Sequence, residues 1–263
     1  MLRALYSAAS GMSAQEMNVD NIANNLSNAN TVGYKARRAQ FQDLMYQSVL
    51  QPGASSGQQT LIPAGLQLGL GTRPTSNEIV FTEGAFSETD NPLDVAIQGA
   101  GFFQVQRPDG TIAYTRAGQF HLNNQGTIVT TDGDPLIPTI TIPSNATAVT
   151  ITQYGVVNAT LAGQQNPSQL GQIQLATFPN PGGLESMGNN LLQATLSSGD
   201  PVLGNPGGTE GLGTLQQGYL ENSNVDVVTE FVQMVLAQRA YESNSKVIKA
   251  ADDMYSQVNN MTH

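Results

Sequence analysis

Two helical repeats, one at each end of this 263-residue chain, constrain its fold more than any other feature. Near the start, Leu5, Met12, Val19 and Leu26 recur at intervals of seven, with Leu2, Ala8, Ala9, Ile22 and Ala23 beside them. That spacing lines one face of an amphipathic helix of about six or seven turns. Toward the other end Val227, Met234, Tyr241, Ile248 and Tyr255 are again seven apart, and Ala237, Asn244, Ala251 and Val258 make a second series. Asp226 or Thr229 is placed to cap the second helix, and Gly33, after the run NNLSNANT, to end the first. An amphipathic helix in water draws most of its stability from whatever covers its apolar stripe. The two helices are therefore expected to cover one another, either as a hairpin docked on their own chain or as a pair completed by neighbouring copies.

The middle has a different period. Residues 73 to 216 carry beta-rich runs such as EIVFTEGAF, DVAIQGAGFFQVQR, TIAYTRAGQFHLN, AVTITQYGVVNAT and GQIQLATF, separated by Pro108-Asp109-Gly110, Asn124-Gln125-Gly126 and Thr131-Asp132-Gly133. Short alternating strands between such turns predict an all-beta domain. Between it and the first helix lies QPGASSGQQTLIPAGLQLGLG, whose Leu61, Ile62, Leu66, Leu68 and Leu70 predict an ordered arm rather than a free spacer. The expected fold is thus mixed: long N- and C-terminal helices forming a helical core domain, a central all-beta domain and an extended linker arm. The expected divisions are 1–35 for the N-terminal core helix, 36–72 for the arm, 73–216 for the beta-rich domain and 217–263 for the C-terminal core helix.

Chemistry is sparse. The chain has 20 acidic and 10 basic side chains, a net charge of −10, only 11% charged residues and no cysteine. Its polarity is carried instead by 22 Asn and 25 Gln. An acidic chain cannot replace phosphate counterions along nucleic acid, which excludes that partner as a main one. Lack of cysteine removes disulfides, thiolate nucleophiles and Cys-ligated zinc or iron–sulfur clusters. His121 and His263 are too far apart in sequence to suggest a metal motif. Gly99-Ala100-Gly101 lacks the spacing of a phosphate loop and reads as a tight turn, and Asp132 and Asp134 read as hairpin-turn residues rather than calcium ligands. The one tight basic cluster, Tyr34 to Arg38, reads as a solvated helix end or a salt bridge to an adjacent copy. Tyr34, Tyr241 and Tyr255 read as packing anchors at helical contacts. No catalytic, cofactor-binding or metal-binding residue is assigned, no cofactor is expected, and the chain is read as not an enzyme. Neither end has the apolar run of a membrane span or the shape of a signal peptide.

Three separated segments carry a resemblance that periodicity does not. NIANNLSNANTVGYK near the start, DVAIQGAGFFQVQRPDGTIAYTRAGQFHLNNQG in the middle and GYLENSNVDVVTEFVQMVLAQRAYESNSKVIKAADDM at the end resemble, in order, the bacterial flagellar rod and hook proteins. The stretch LMYQSVLQPGASSGQQTLIPAGLQLGLGTRP is closest to the distal-rod type. The resemblance implies a structural subunit of the flagellar basal-body distal rod that polymerises helically into a hollow, torque-carrying shaft. It implies copies of itself as partners, proximal rod and hook proteins at the two ends and bushing rings around it, without nucleic acid or membrane insertion. It also implies export without a cleavable signal peptide and a place in the rod from the periplasm to the outer membrane. Asn21 to Lys35 and Gly218 to Met254 would form the assembly ends, and residues 51 to 71 the distal-rod-type segment. A proximal rod or hook subunit, and a secreted beta-rich binding module that forms small oligomers, are the alternatives.

Overall fold

The computed structural model describes residues 2–51, 55–57, 60–61, 64–164, 166–208 and 211–261, so that Ile62 and His263 lie outside the described residues. The chain divides into two compact units, one of Met1–Ser27, Arg37–Glu78 and Asp226–His263, the other of Asn28–Ala36 and Ile79–Val225.

The terminal repeats form two helices, α1 (Leu2–Ser27) and α2 (Val227–Met261), which pack against each other in the first unit. Asp226 caps α2: its carboxylate accepts the Val228 amide at 3.0 Å and the Thr229 hydroxyl at 2.7 Å. Those bonds, the Thr229 hydroxyl first, hold the Asp226 carboxyl below its usual range. Asn25 of α1 bonds Glu230, and a side chain built on Gly11 would meet Asn244, so the helices run antiparallel. The apolar side chains buried between the elements of this unit are Ala8, Ala14, Ile22, Ala237 and Ala251. Four of these are alanine, which lets the helix axes approach closely but buries little area per residue. The sevenfold series Leu5, Met12, Val19 and Leu26 is only half-buried, because small residues rather than the large ones occupy the seam.

The strands between Arg37 and Ile79 form nested ladders. Arg37–Asp43 pairs with Thr72–Ile79, and inside it Gln47–Leu50 pairs antiparallel with Leu66–Leu68 and Ser55–Gly57 with Thr60–Leu61. Polar side chains of α1 hold the base of this ribbon. The Asn25 carbonyl oxygen accepts the Arg37 amide at 2.9 Å, Asn21 accepts from Asn77 at 2.6 Å, and Ser10 Oγ accepts the Thr72 amide at 3.3 Å.

The expected fold of a separate helical core domain, a separate all-beta domain and a linker arm is overturned by these arrangements. Two long terminal helices bracket a large beta core in the chain, the supposed arm is a strand ribbon in the same unit as the helices, and Asn28–Ala36 belongs with the beta core. The physical reason is pairing over long sequence distance. Side chains of α1, Asn25 and Ser10, satisfy backbone groups of the ribbon, and no local period reports that.

In the second unit a seven-stranded sheet runs in the order Glu185–Gly188, Leu191–Gln193, Ile112–Thr115, Phe102–Gln106, Leu175–Thr177, Val202–Gly204, with Leu136–Ile137 also on Phe102–Gln106. The ladders of this path are antiparallel, for example Ala113 opposite Val105 and Ala176 opposite Phe102. Alternation along Phe102–Gln106 sends Phe103 and Val105 into the main core with Ile97, Phe120, Leu136 and Leu175. Phe102 goes to a second cluster with Tyr114, Phe178 and Leu184. Phe178 meets Phe102 and Tyr114 edge-on at 5.9 and 4.8 Å between centroids, which fixes that face.

Candidate functional site

Three residues from distant parts of the chain meet inside the second unit. The Lys35 ammonium donates to Glu221 Oε1 at 2.5 Å and to the Thr82 carbonyl at 2.7 Å. Arg116 Nε lies 3.1 Å from Glu221 Oε2, an ion-pair contact without hydrogen-bond alignment, and Arg116 Nη1 donates to the carbonyls of Gly99 and Gly101 at 2.9 Å each. The Gly84 amide donates to Glu221 Oε1 at 3.1 Å, and the Gly33 amide donates to the Glu221 carbonyl at 2.7 Å. All three charged residues are buried, Glu221 at 1% exposure.

Burial pushes Lys35 below the usual ammonium range, opposed by the hydrogen bond and charge of Glu221. Arg116 is lowered for the same first cause and supported by Glu221 and then Glu83. Removing such charges from water is costly, and the surrounding hydrogen bonds offset that cost only while the set is complete. The cluster ties NTVGYK, YTRAG and GYLEN together, so it acts as a clasp between early, middle and late chain.

This placement corrects the reading of the basic cluster. Lys35 is neither solvated nor reserved for an adjacent copy; it is buried and paired within its own chain. Arg38 reaches Glu78 at 3.3 Å on an exposed face, where such a pair contributes little. Gly33 does not end the first helix, which stops at Ser27; with φ of 70° it brings the chain against Arg116 and Ala117. Gly99-Ala100-Gly101 is a turn, with φ of 108° and 138° at its glycines, whose carbonyls receive Arg116. Arg116 and Glu221 escaped the sequence reading. The available signal was their scarcity: lone charges within the apolar strand contexts IAYTR and YLE of a chain poor in charge.

His121 lies exposed on the strand Phe120–Leu122, and Asp132 and Asp134 stand at the turn before Leu136–Ile137. A cleft of about 360 Å³ in the second unit is lined by residues including Asn28, Thr31, Thr115, Gln119, Asn190 and Asp132, its one ionisable side chain. Among the described residues no group of His, Cys, Asp and Glu is arranged to hold a metal, and no helix is long and apolar enough to cross a membrane.

In the first unit the face of α2 turned away from the seam is apolar and uncovered. Val228, Phe231, Val232, Val235 and Leu236 follow helical spacing and are each more than half exposed. Tyr241 and Tyr255, expected to anchor packing, are also exposed in the single chain, whereas Tyr34 is half-buried. Monomeric proteins rarely leave such a contiguous stripe in water, so it marks a surface for protein contact.

Residues 5–35 match the family described as Flagella basal body rod protein, residues 96–159 the Flagellar hook protein FlgE/F/G D1 domain, and residues 216–261 the Flagellar basal body rod FlgEFG protein C-terminal region. The flagellar basal-body rod protein FlgG of Buchnera aphidicola subsp. Acyrthosiphon pisum is 49% identical over 261 residues, covering 99% of this chain and 100% of that one. FlgG of Caulobacter vibrioides is 50% identical over 254 residues, covering 96% and 97%, and FlgG of Bacillus subtilis 39% over 265 residues, covering 99% of both. With full-length likeness at this level and the three motifs in order, the chain belongs to the flagellar basal-body rod protein FlgG family, whose members are structural rather than catalytic.

Proposed function

We propose that this chain is the distal-rod subunit, adding copy upon copy through non-closing contacts to build a hollow helical shaft that carries motor torque across the periplasm to the hook. The observation that carries this reading is the uncovered stripe on α2. Its helix already has an intramolecular partner in α1, so the remaining apolar face has only other molecules to cover it. Copies of the same chain fill that role, with proximal rod and hook proteins at the ends of the shaft and bushing rings around it. The subunit reaches this place as a substrate of flagellar type III export. No residue acts as a catalyst or cofactor ligand in this role.

Burying a side chain such as Phe231 or Leu236 stabilises an interface by about 1.5–3 kcal/mol. An aspartate there loses that term and adds a buried charge. Phe231→Asp or Leu236→Asp is expected to raise the concentration needed for polymerisation by at least about 100-fold, the equivalent of about 2.7 kcal/mol. Sedimentation after induced polymerisation measures this, with circular dichroism as a check on folding. Polymerisation at the wild-type concentration by folded variants would remove the stripe from the interface.

The distal assignment is supported by the stretch between Asp43 and Arg73, which contains no charged residue and displays Met45, Tyr46, Val49, Leu50, Leu66 and Leu68 to solvent. A charge-free apolar ribbon is cheap to bury against a neighbour. Deleting residues 51 to 71 is expected to change the helical lattice while leaving the second unit folded. An unchanged lattice at high resolution would count against a packing role for the ribbon and against the distal reading built on it.

A further inference from the structure

The helix seam contains a polar contact between the buried Asn25 and the half-buried Glu230. Asn25, at 2% exposure, accepts the Arg37 amide through Oδ1 at 2.9 Å and uses Nδ2 twice, donating to the Arg37 carbonyl at 2.9 Å and to Glu230 Oε1 at 3.2 Å. Glu230 Oε2 is buried with no hydrogen-bond partner. Elsewhere the seam is lined by the buried Ala8, Ala14, Ile22, Ala237 and Ala251, with Asn244 set against Gly11. A single buried polar residue in a helix interface is a well-attested means of setting register.

We propose that Asn25 and Glu230 form the register pin of the helix pair, and that ionisation of the Glu230 carboxyl loosens it. The inference rests on the assembly reading above only in taking the paired helices as the form that polymerises.

The groups around the carboxyl determine its preferred state. From α1 it meets Asn25, a neutral donor. The strand Arg37–Asp43 meets that same Asn25 through the main chain of Arg37. On its own helix Asp226 is a like charge one turn earlier. Burial is the main effect raising the Glu230 carboxyl above its usual range; the Asn25 bond opposes it and Asp226 adds to it. The N-terminus of α2, like the Asn25 bond, favours the carboxylate. A folded-state pKa above the unfolded one contributes stability that is fully present below the unfolded value and lost as pH rises through the folded value. Pairing should therefore weaken as the solution is brought from mildly acidic toward neutral.

The chain has no cysteine, so Ser13→Cys and Gln238→Cys, both at exposed positions, take spin labels at defined places on the two helices. In the full-length protein the short-distance population is expected to fall between pH 5 and 8. With Glu230→Gln added, which keeps an acceptor for Asn25 but cannot ionise, the population should stay high and flat. A flat profile in the Glu230 protein, or an equal fall in the Gln variant, overturns the proposal. Sedimentation of the same samples separates the two readings: helices that pair as expected without any polymer support the pin and count against the assembly reading. Polymers whose pairing and yield ignore pH overturn the pin alone.

Discussion

Glu221→Gln is expected to be among the most destabilising single substitutions in the chain. Glutamine retains the shape and an acceptor for Lys35, yet it leaves Lys35 and Arg116 buried side by side without the carboxylate that lies 2.5 and 3.1 Å from them. Breaking a buried ion pair by removing one partner costs about 3–5 kcal/mol. For a domain of this size that is a fall of roughly 6–20 °C in Tm. Near-ultraviolet circular dichroism, which reports the packing of Phe102, Tyr114 and Phe178, measures the loss in the second unit. Adding Lys35→Met to Glu221→Gln removes one stranded cation and should recover part of it. A single variant within 1 °C of the wild type, or a double variant no better than the single, would show that the charges are not acting as a set.

Gly33→Ala is expected to cost nearly as much, for a steric reason. Gly33 has φ of 70°, and a side-chain carbon built there would lie 2.6 Å from the Ala117 amide nitrogen and 2.8 Å from the Arg116 carbonyl carbon. The left-handed conformation alone costs an L-residue about 1–2 kcal/mol. The obstructing atoms are main chain, so the clash is relieved only by moving the clasp, for a total on the order of 3–5 kcal/mol. Gly110 is the matched control: φ is 84° there, but nothing lies within 4 Å of an added carbon. Gly110→Ala should lose only about 1–2 kcal/mol in urea unfolding. Equal losses at the two glycines would mean that backbone conformation, and not the close approach to Ala117, accounts for the requirement at Gly33.

Both terminal helices were legible because their repeat is local, and the cap was narrowed to Asp226 or Thr229, of which the structure selects Asp226. The beta character of the middle followed from alternation and turn dipeptides in the same way. Less visible was the side chain that each buried partner would choose. Lys35 and Glu221 are separated by 186 positions, and beside Arg37 and Arg38 a lysine reads as part of a solvated cluster. Asn21 and Asn25 carry no signal in the sequence beyond an Asn-rich stretch near the helix exit, whereas their amides anchor the strand ribbon. The ribbon itself looked like an arm because its pairing partners lie on its own far side, without a period to announce them. The family motifs were recognisable as strings of letters, and the clasp supplies a physical account of why NTVGYK, YTRAG and GYLEN occur together in one chain.

Burial of Arg116 also decides how the native chain meets a protease. Trypsin cuts after lysine and arginine but not before proline, and between Ala39 and Gln238 the basic residues are Arg73, Arg107 and Arg116, the first two followed by Pro74 and Pro108. The bond from Arg116 to Ala117 is thus the one susceptible site over that whole span, and it lies within the clasp. Cleavage there requires local opening, and when reclosing is fast its rate follows the population of the open form. Cleavage at that bond, followed apart from cuts at the basic residues outside the span, is therefore a gauge of how often early, middle and late chain let go of one another.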